Sequence, residues 1–342
     1  MEKKLVTLIV ALGMCLASTA NSICWAKVVD YVNPVCKRYF ADPAVLKDGD
    51  YYYAFGTGET GDNKRFPVQR SKDLVNWEFL GGALTALKDG SKTDYWAPEP
   101  AKNGDKYYLY YSAGNSTGLD HQLRVATASR PEGPYADCNT LLIPSEPFSI
   151  DSHPFKDDDG RWYLYFVKDE LDGNRPGTAI AVVELNEDMT SIKGSPKTVL
   201  RPSADWQLFG KDREWYGRKW KEWYCIEGPY IVKRDGKYYC IYSGGCWETP
   251  GYGLAYGVSN NPLGPFADAG TTGGACVLKG NDEFIGPGHN SLTTGPDGKT
   301  YVIYHAWDKA HTARRMCIDP LVWNNGAPRC DGPKHSGKIE LP

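Results

Sequence analysis

Five segments of the chain repeat one short pattern, a glycine-containing turn followed by a tyrosine-rich run, and this repetition narrows the fold more than any other feature. They are Asp48-Gly49-Asp50-Tyr51-Tyr52-Tyr53, Asn103-Gly104-Asp105-Lys106-Tyr107-Tyr108, Asp159-Gly160-Arg161-Trp162-Tyr163, Asp235-Gly236-Lys237-Tyr238-Tyr239 and Asp297-Gly298-Lys299-Thr300-Tyr301. Asp-Gly and Asn-Gly pairs close tight hairpins because glycine accepts the positive φ that such turns require. The turn glycines recur at intervals of 55 to 76 residues, which suits one four-stranded sheet with its loops. The expected fold is therefore all-β, a five-bladed β-propeller. Outer segments echo each other as well, Pro131-Glu132-Gly133-Pro134-Tyr135 resembling Pro262-Leu263-Gly264-Pro265-Phe266. Long helical periodicity is absent, and 37 Gly and 23 Pro punctuate short strands throughout. A β-sandwich is disfavoured because it would not repeat a hairpin at this interval. The strand-like Val28–Val32 is expected to close the ring by joining the last blade.

The chain opens Met-Glu-Lys-Lys, continues with an apolar run from Leu5 to Ala17, and reaches small residues at Ser18-Thr19-Ala20, the layout of a secretory signal peptide. Cleavage is expected after Ala20 or, following Cys24-Trp25, after Ala26. Residues 1–26 are accordingly set aside, and 27–342 form one propeller domain exported outside the cell or to the periplasm. The apolar run is short for a bilayer, and no second one suggests a membrane span. With 39 basic and 42 acidic residues the charge is nearly balanced, so no nucleic-acid footprint is present. A monomer acting on neutral small molecules or polymers is expected. Eleven Trp and 23 Tyr suit both sheet faces and stacking on sugar rings. Eight cysteines follow residue 26, and export permits disulfides; Cys317 and Cys330, symmetric about Asn324-Asn325-Gly326, could face each other across a hairpin. No Cys-x-x-Cys spacing suggests structural zinc.

Polar residues recur in register upstream of the turns. Asp151, Glu227 and His289 each precede their turn glycine by nine residues, whereas Asp42 does so by seven and Glu99 by five. In a propeller these positions fall on the innermost strand, and because side chains alternate strictly along a strand, equal offset predicts equal height and facing. The flanking sequences Phe40-Ala41-Asp42-Pro43, Trp96-Ala97-Pro98-Glu99, Ile150-Asp151-Ser152-His153-Pro154 and Ile226-Glu227-Gly228-Pro229 are apolar or ring-bearing. Burial and a neighbouring carboxylate both raise a carboxyl pKa, which is how an acid remains protonated near neutrality.

These motifs, with Gly288-His289-Asn290-Ser291, make the chain similar to glycoside hydrolase family 43 from about Asn33 onward. The resemblance implies a five-bladed propeller that hydrolyses glycosides with inversion, with Asp42 as general base, Glu227 as general acid and Asp151 as the group that tunes and orients the acid. It also implies a sugar-binding surface that includes Phe40, Trp96, Ile150 and His289. His289 would either hydrogen-bond in the channel or help to hold a structural Ca2+ through water; the chemistry itself requires no cofactor. Arg314 or its neighbour Arg315 would bind substrate, and Glu99 would be structural. Trp206, Trp215, Trp220 and Trp223, in the long segment from Pro202, either wall the site or pack. Fructoside-cleaving propellers are disfavoured by Ala41 and Gly228. An exo-acting α-L-arabinofuranosidase is the first expectation, because Glu99 stands where endo-arabinanases commonly carry Asp and the chain ends soon after the last blade. β-Xylosidase, endo-arabinanase and galactan-active hydrolase are the alternatives within the family, and a non-hydrolytic sugar-binding propeller is the alternative outside it.

Overall fold

The computed structural model describes residues 27–342 apart from 62, 89, 91 and 272. The expected signal peptide, residues 1–26, lies outside the described residues. Apart from a short 3-10 turn at Asp205–Gln207, the described elements are all strands. They form five sheets of four to six strands and one two-stranded sheet, giving the expected five-bladed propeller. The innermost strands of blades 1 to 5 are Ala41–Asp48, Asp94–Asn103, Ser149–Lys156, Ile226–Arg234 and Phe284–Thr294. Each neighbours the next, and the first neighbours the last.

The repeated turns are the hairpins between first and second strands. Asp48 faces Tyr51, Asn103 faces Lys106 and Arg234 faces Lys237 across two-residue loops. In blades 3 and 5 the loop is longer, Lys156 facing Trp162 and Thr294 facing Thr300. The tyrosines that follow lie on second strands and fill the space between blades. Tyr52, Tyr110, Tyr111, Tyr163, Tyr165, Tyr242, Tyr301 and Tyr304 are essentially inaccessible to solvent. Burying each ring stabilises the fold by roughly 1.5–3 kcal/mol. Tyrosine rather than phenylalanine recurs because the hydroxyl can reach a neighbouring blade. Tyr52 of blade 1 donates to the Thr294 carbonyl of blade 5 (2.9 Å), Tyr107 of blade 2 to Asp48 of blade 1 (2.8 Å), and Tyr238 of blade 4 to Asp157 of blade 3 (2.7 Å).

Two expectations are corrected here. Lys27–Val32 does not add a strand to blade 5 but pairs with the C-terminal Ser336–Leu341, from Lys27↔Leu341 to Val32↔Ser336. This clasp lies across the junction of blades 5 and 1. Tyr31 and Ile339 pack with Tyr52 and Ala54 of blade 1 and with Ile303, Met316 and Ile318 of blade 5, and Asn33 donates to the Ile318 carbonyl (2.8 Å). The ring is thus closed by side chains and a clasp of the two ends. Cys317 and Cys330 do not face each other either: the two-residue turn is Asn325-Gly326, so Cys330 pairs with Leu321. All eight described cysteines are thiols.

Candidate active site

Each inner strand is interrupted near its start by a bulge, where two residues fall out of register with the second strand. At every bulge one residue has left-handed backbone: Asp42 (φ 49°), Ala97 (φ 50°), Asp151 (φ 53°), Gly228 (φ 56°) and His289 (φ 49°). For a residue with a Cβ this conformation costs on the order of 1 kcal/mol or more and persists only where surroundings enforce it. The enforcement is visible as hydrogen bonds from the strained N–H groups. Ala97 donates to Thr57 Oγ1 (2.8 Å), Gly228 to Asp151 Oδ2 (3.0 Å), His289 to Ser243 Oγ (2.7 Å) and Asp42 to His305 Nδ1 (3.0 Å).

This periodicity revises the register read from the turns. Asp42, Asp151 and His289 are equivalent, and Glu227 sits one position earlier, beside the left-handed Gly228. The equal nine-residue offset of Glu227 misled because the blade 4 hairpin has a two-residue loop and those of blades 3 and 5 are longer. The counterparts of Glu227 are Ala41, Trp96, Ile150 and Gly288. At the last of these only glycine fits, since a Cβ would lie 2.1 Å from the Tyr252 ring.

Asp42, Asp151, Glu227, His289 and Arg314 meet around one cavity of about 280 Å³, walled by Trp96, Ile150 and Trp247. Asp42 is 7% exposed and Asp151 6%. Asp42 Oδ2 accepts the Thr57 hydroxyl (2.7 Å), and its Oδ1 lies 3.2 Å from Arg314 Nη1, 3.2 Å from His305 Nδ1 and 3.5 Å from His289 Nδ1. Burial pushes its pKa upward, but Arg314, then His289, outweigh it and hold the carboxyl well below the usual range. Asp151 goes the other way: burial, opposed by His289 and assisted by Glu227 and Asp42, raises its pKa. Asp151 is therefore the carboxyl that burial favours in its protonated form, beside Glu227, whereas Asp42 is ionised. Glu227 is held at both oxygens, Tyr252 donating to Oε1 (2.6 Å) and the Cys225 thiol to Oε2 (3.2 Å).

The two histidines differ in state. His305, deprived of solvent, is pushed down to about 4, so it is neutral; its acceptor role at Nδ1 assigns the remaining proton to Nε2. His289 is raised despite burial, because Asp42, Asp151 and Glu227 surround it. Its Nδ1 lies 3.8 Å from Asp151, so it links the two aspartates as a cation. Among the described residues no group of three or more His, Cys, Asp or Glu side chains is arranged to hold an ion.

The other expected residues divide. Trp96 lines the cavity with His121 stacked beneath it at 3.4 Å, and Ile150 lines it too. Arg314 is the arginine in place: its Nη2 donates to the Tyr39 hydroxyl (2.9 Å) and its guanidinium lies 4.3 Å from the Trp247 ring. Arg315 turns away to Asp308 and the Lys37 carbonyl. Phe40 is a correction, since it is wholly buried in the junction of blades 1 and 5, against Gly56, where a Cβ would meet its ring at 2.7 Å. Glu99 stays behind the cavity wall, paired with His153 (2.8 Å). Sequence reading missed Thr57, Ser243 and His305, Tyr252, Cys225 and Trp247. The first three had a signal, a polar residue seven or eight places after the turn glycine on each second strand. A second cavity adjoins the first and is bounded by Trp215 and Trp223, while Trp206 stacks on Tyr242 and Trp220 packs against Trp223.

Comparison with known proteins agrees with this geometry. The chain is 31% identical over 316 residues to the β-D-galactofuranosidase of Aspergillus niger, covering 85% of this chain and 82% of that protein. It is 27% identical to the extracellular exo-α-(1→5)-L-arabinofuranosidase of Cellvibrio japonicus, covering 94% and 91%. The crystal structure of a thermostable family-43 glycoside hydrolase superposes with a TM-score of 0.78 at 33% identity, covering 91% of this chain and 99% of that one. The model of the glycosyl hydrolases family 43 matches residues 31–328, and with a propeller that gathers its carboxylates in one cavity, the chain belongs to that family.

Proposed function

We propose that the protein is a secreted, exo-acting α-L-arabinofuranosidase that hydrolyses its substrate with inversion. The observation that carries the reading is three carboxylates of opposed electrostatics in one small cavity: Asp42, held ionised by Arg314 and His289, and Asp151, whose burial raises its carboxyl beside Glu227. An ionised carboxylate can take a proton from water, and a carboxylic acid can give one to the glycosidic oxygen. Inversion needs these groups on opposite faces of the sugar, roughly 6.5–9.5 Å apart, with water between base and anomeric carbon. Asp42 is then the base and Glu227 the acid, oriented by Tyr252 and Cys225. Asp151 fixes the Gly228 N–H beside the acid and tunes that acid electrostatically. His289 keeps Asp42 and Asp151 apart in charge, and Arg314 and Trp96 hold the sugar. No step is assigned to a metal.

The furanoside choice rests on the relatives. One is named for β-D-galactofuranosides and another for α-L-arabinofuranosides. These two rings have the same configuration from C1 to C4 and differ only in the chain beyond it, so one glycone pocket can suit both. A cavity of about 280 Å³ is small among ligand sites and matches a single sugar residue, which supports exo action. Export is supported by the leader-like N-terminal sequence and by relatives named as extracellular. The test is hydrolysis of p-nitrophenyl α-L-arabinofuranoside, β-D-galactofuranoside and β-D-xylopyranoside, with the product anomer from arabino-oligosaccharides followed by proton NMR in the first minutes. Faster turnover of the xyloside overturns the furanoside reading, and initial release of the retained anomer overturns Asp42 as base.

A further inference from the structure

The 76-residue interval between the third and fourth turn glycines holds a hairpin that no other blade carries among the described residues, Leu208–Trp215 paired with Arg218–Tyr224. It meets blade 3 through the bridge Gly177↔Tyr224. Its tip is Tyr216-Gly217, both residues left-handed (φ 55° and 68°), as a type I′ turn demands. Tyrosine is strained there, and the strain is offset at Asp169, which accepts the Tyr216 hydroxyl (2.5 Å) and the Trp215 indole N–H (3.1 Å). Burial raises the Asp169 carboxyl to about 6 in spite of these donors. Pinned at its tip and joined at its base, the hairpin is a fixed wall.

That wall bounds the second cavity, of about 300 Å³, which shares Trp96, Ile150, Glu227 and Trp247 with the catalytic cavity but does not reach Asp42 or Asp151. Arg213 projects from the hairpin into its lining. The guanidinium carbon lies 4.0 Å from the Trp215 ring, 4.9 Å from Phe209 and 5.4 Å from Trp223. Rings against its faces leave its in-plane N–H donors at the edge. Arg213 is half-buried and makes no hydrogen bond or ion pair among the described residues, so its donors remain open to the cavity, and burial lowers its pKa. Unused donors, held rigid beside the candidate proton donor, are what a ligand site requires.

We propose that Arg213 is the specificity-determining contact for the leaving-group sugar, gripping two adjacent hydroxyl oxygens of a neutral residue while the hairpin aromatics cover its faces. The proposal rests on the reading of Glu227 as the acid, since a sugar in this cavity is the one whose linking oxygen Glu227 reaches. Neutrality follows from the company Arg213 keeps: Asp169 lines the same cavity, and a carboxylated sugar would face it.

The test compares wild type, Arg213→Gln and Arg213→Lys on α-1,5-arabinobiose and xylobiose against the p-nitrophenyl glycosides of the same terminal sugars, with circular dichroism to verify folding. On whichever pair the wild type cleaves, Arg213→Gln is expected to lose about ten- to hundredfold more kcat/KM on the disaccharide than on the aryl glycoside, mainly through KM, with Arg213→Lys between. Equal losses on both overturn the proposal. In a Glu227→Gln background, tryptophan fluorescence titration with the same disaccharides reads binding alone. Affinity that does not depend on Arg213 counts against the site, whereas Arg213-dependent binding by a protein whose wild type cleaves neither pair would sink the glycosidase reading and spare the site. Stronger Arg213-dependent inhibition by galacturonate than by arabinose or xylose overturns the neutral-sugar assignment.

Discussion

Replacing Arg314 with Met removes the cation that does most to keep Asp42 ionised, and its effect can be bounded. The Nη1–Oδ1 separation is 3.2 Å. At an effective dielectric constant of about 20, that contact corresponds to roughly 5 kcal/mol of attraction. At 1.36 kcal/mol per pKa unit this sets a ceiling of roughly 4 units; His289 remains and water can enter the space, so the expected effect is roughly 1–2. The proposed base must be ionised to act, so the acid limb of the kcat/KM profile, which reports the free enzyme, should move upward by roughly 1–2 pH units. Arg314→Lys, which keeps the charge, should restore most of it. Stability carries the same sign. A carboxyl with a depressed folded pKa contributes stability above its unfolded pKa of about 3.9, and that contribution disappears as pH falls through the folded value. Arg314→Met should therefore cost roughly 1.4–2.7 kcal/mol near neutrality by urea unfolding, with the gap narrowing below about pH 4. A uniform fall in kcat/KM with the acid limb unmoved would refute the argument, leaving Arg314 as a sugar ligand and Asp42 without its role as base.

Asp42→Asn and Glu227→Gln should each lose about 10²–10⁴ in turnover while remaining folded. The Glu227→Gln loss should shrink on dinitrophenyl glycosides, whose leaving group needs no proton; an undiminished loss there removes Glu227 as acid. Asp151→Asn keeps an acceptor for the Gly228 N–H but removes the buried charge. Because the Asp151 pKa is raised, its favourable contribution is complete below the unfolded pKa and is lost as pH rises through the folded value. The variant should thus gain stability relative to wild type at pH 8 compared with pH 4, while its rate falls and its pH profile shifts; a pH-independent difference in melting contradicts this. Tyr252→Phe strips one donor from Glu227 and should lower kcat about tenfold with little change in fold.

Blade number and order were legible because a tight turn restricts its residues: each Asp-Gly or Asn-Gly marks the same hairpin, and the tyrosines after it are chosen by the width of the space between blades. The carboxylates were legible as a set, since they repeat on inner strands. Their relative heights were not, because a bulge changes register by backbone conformation and leaves no fixed residue type: Asp42, Ala97, Asp151, Gly228 and His289 share one geometry with four different side chains. Phe40 was misplaced for a related reason. It stands two residues before Asp42, where alternation would give both one facing, but it precedes the strand and the left-handed backbone at Asp42 breaks alternation, so Phe40 lies in the junction between blades. Arg213 gave no signal, because its significance depends on a hairpin that exists once and on the absence of a partner.

The clasp that pairs Lys27 with Leu341 sets the two ends of the propeller side by side, and the junction it spans is where Asp42 is held ionised. Asp42 comes from blade 1, but Arg314, His305 and His289 all come from blade 5. A chain growing from its N-terminus holds Asp42 long before it holds Arg314 and His289, the charges that keep it ionised, so the proposed base cannot be in its working state until the circle is complete. The described chain consequently has a sequence order that its architecture does not need. A circular permutant with residues 27 and 341 joined and a new opening between blades 2 and 3, at the loop after Leu141, should keep the Asp42 network intact and bring its partners close together along the chain.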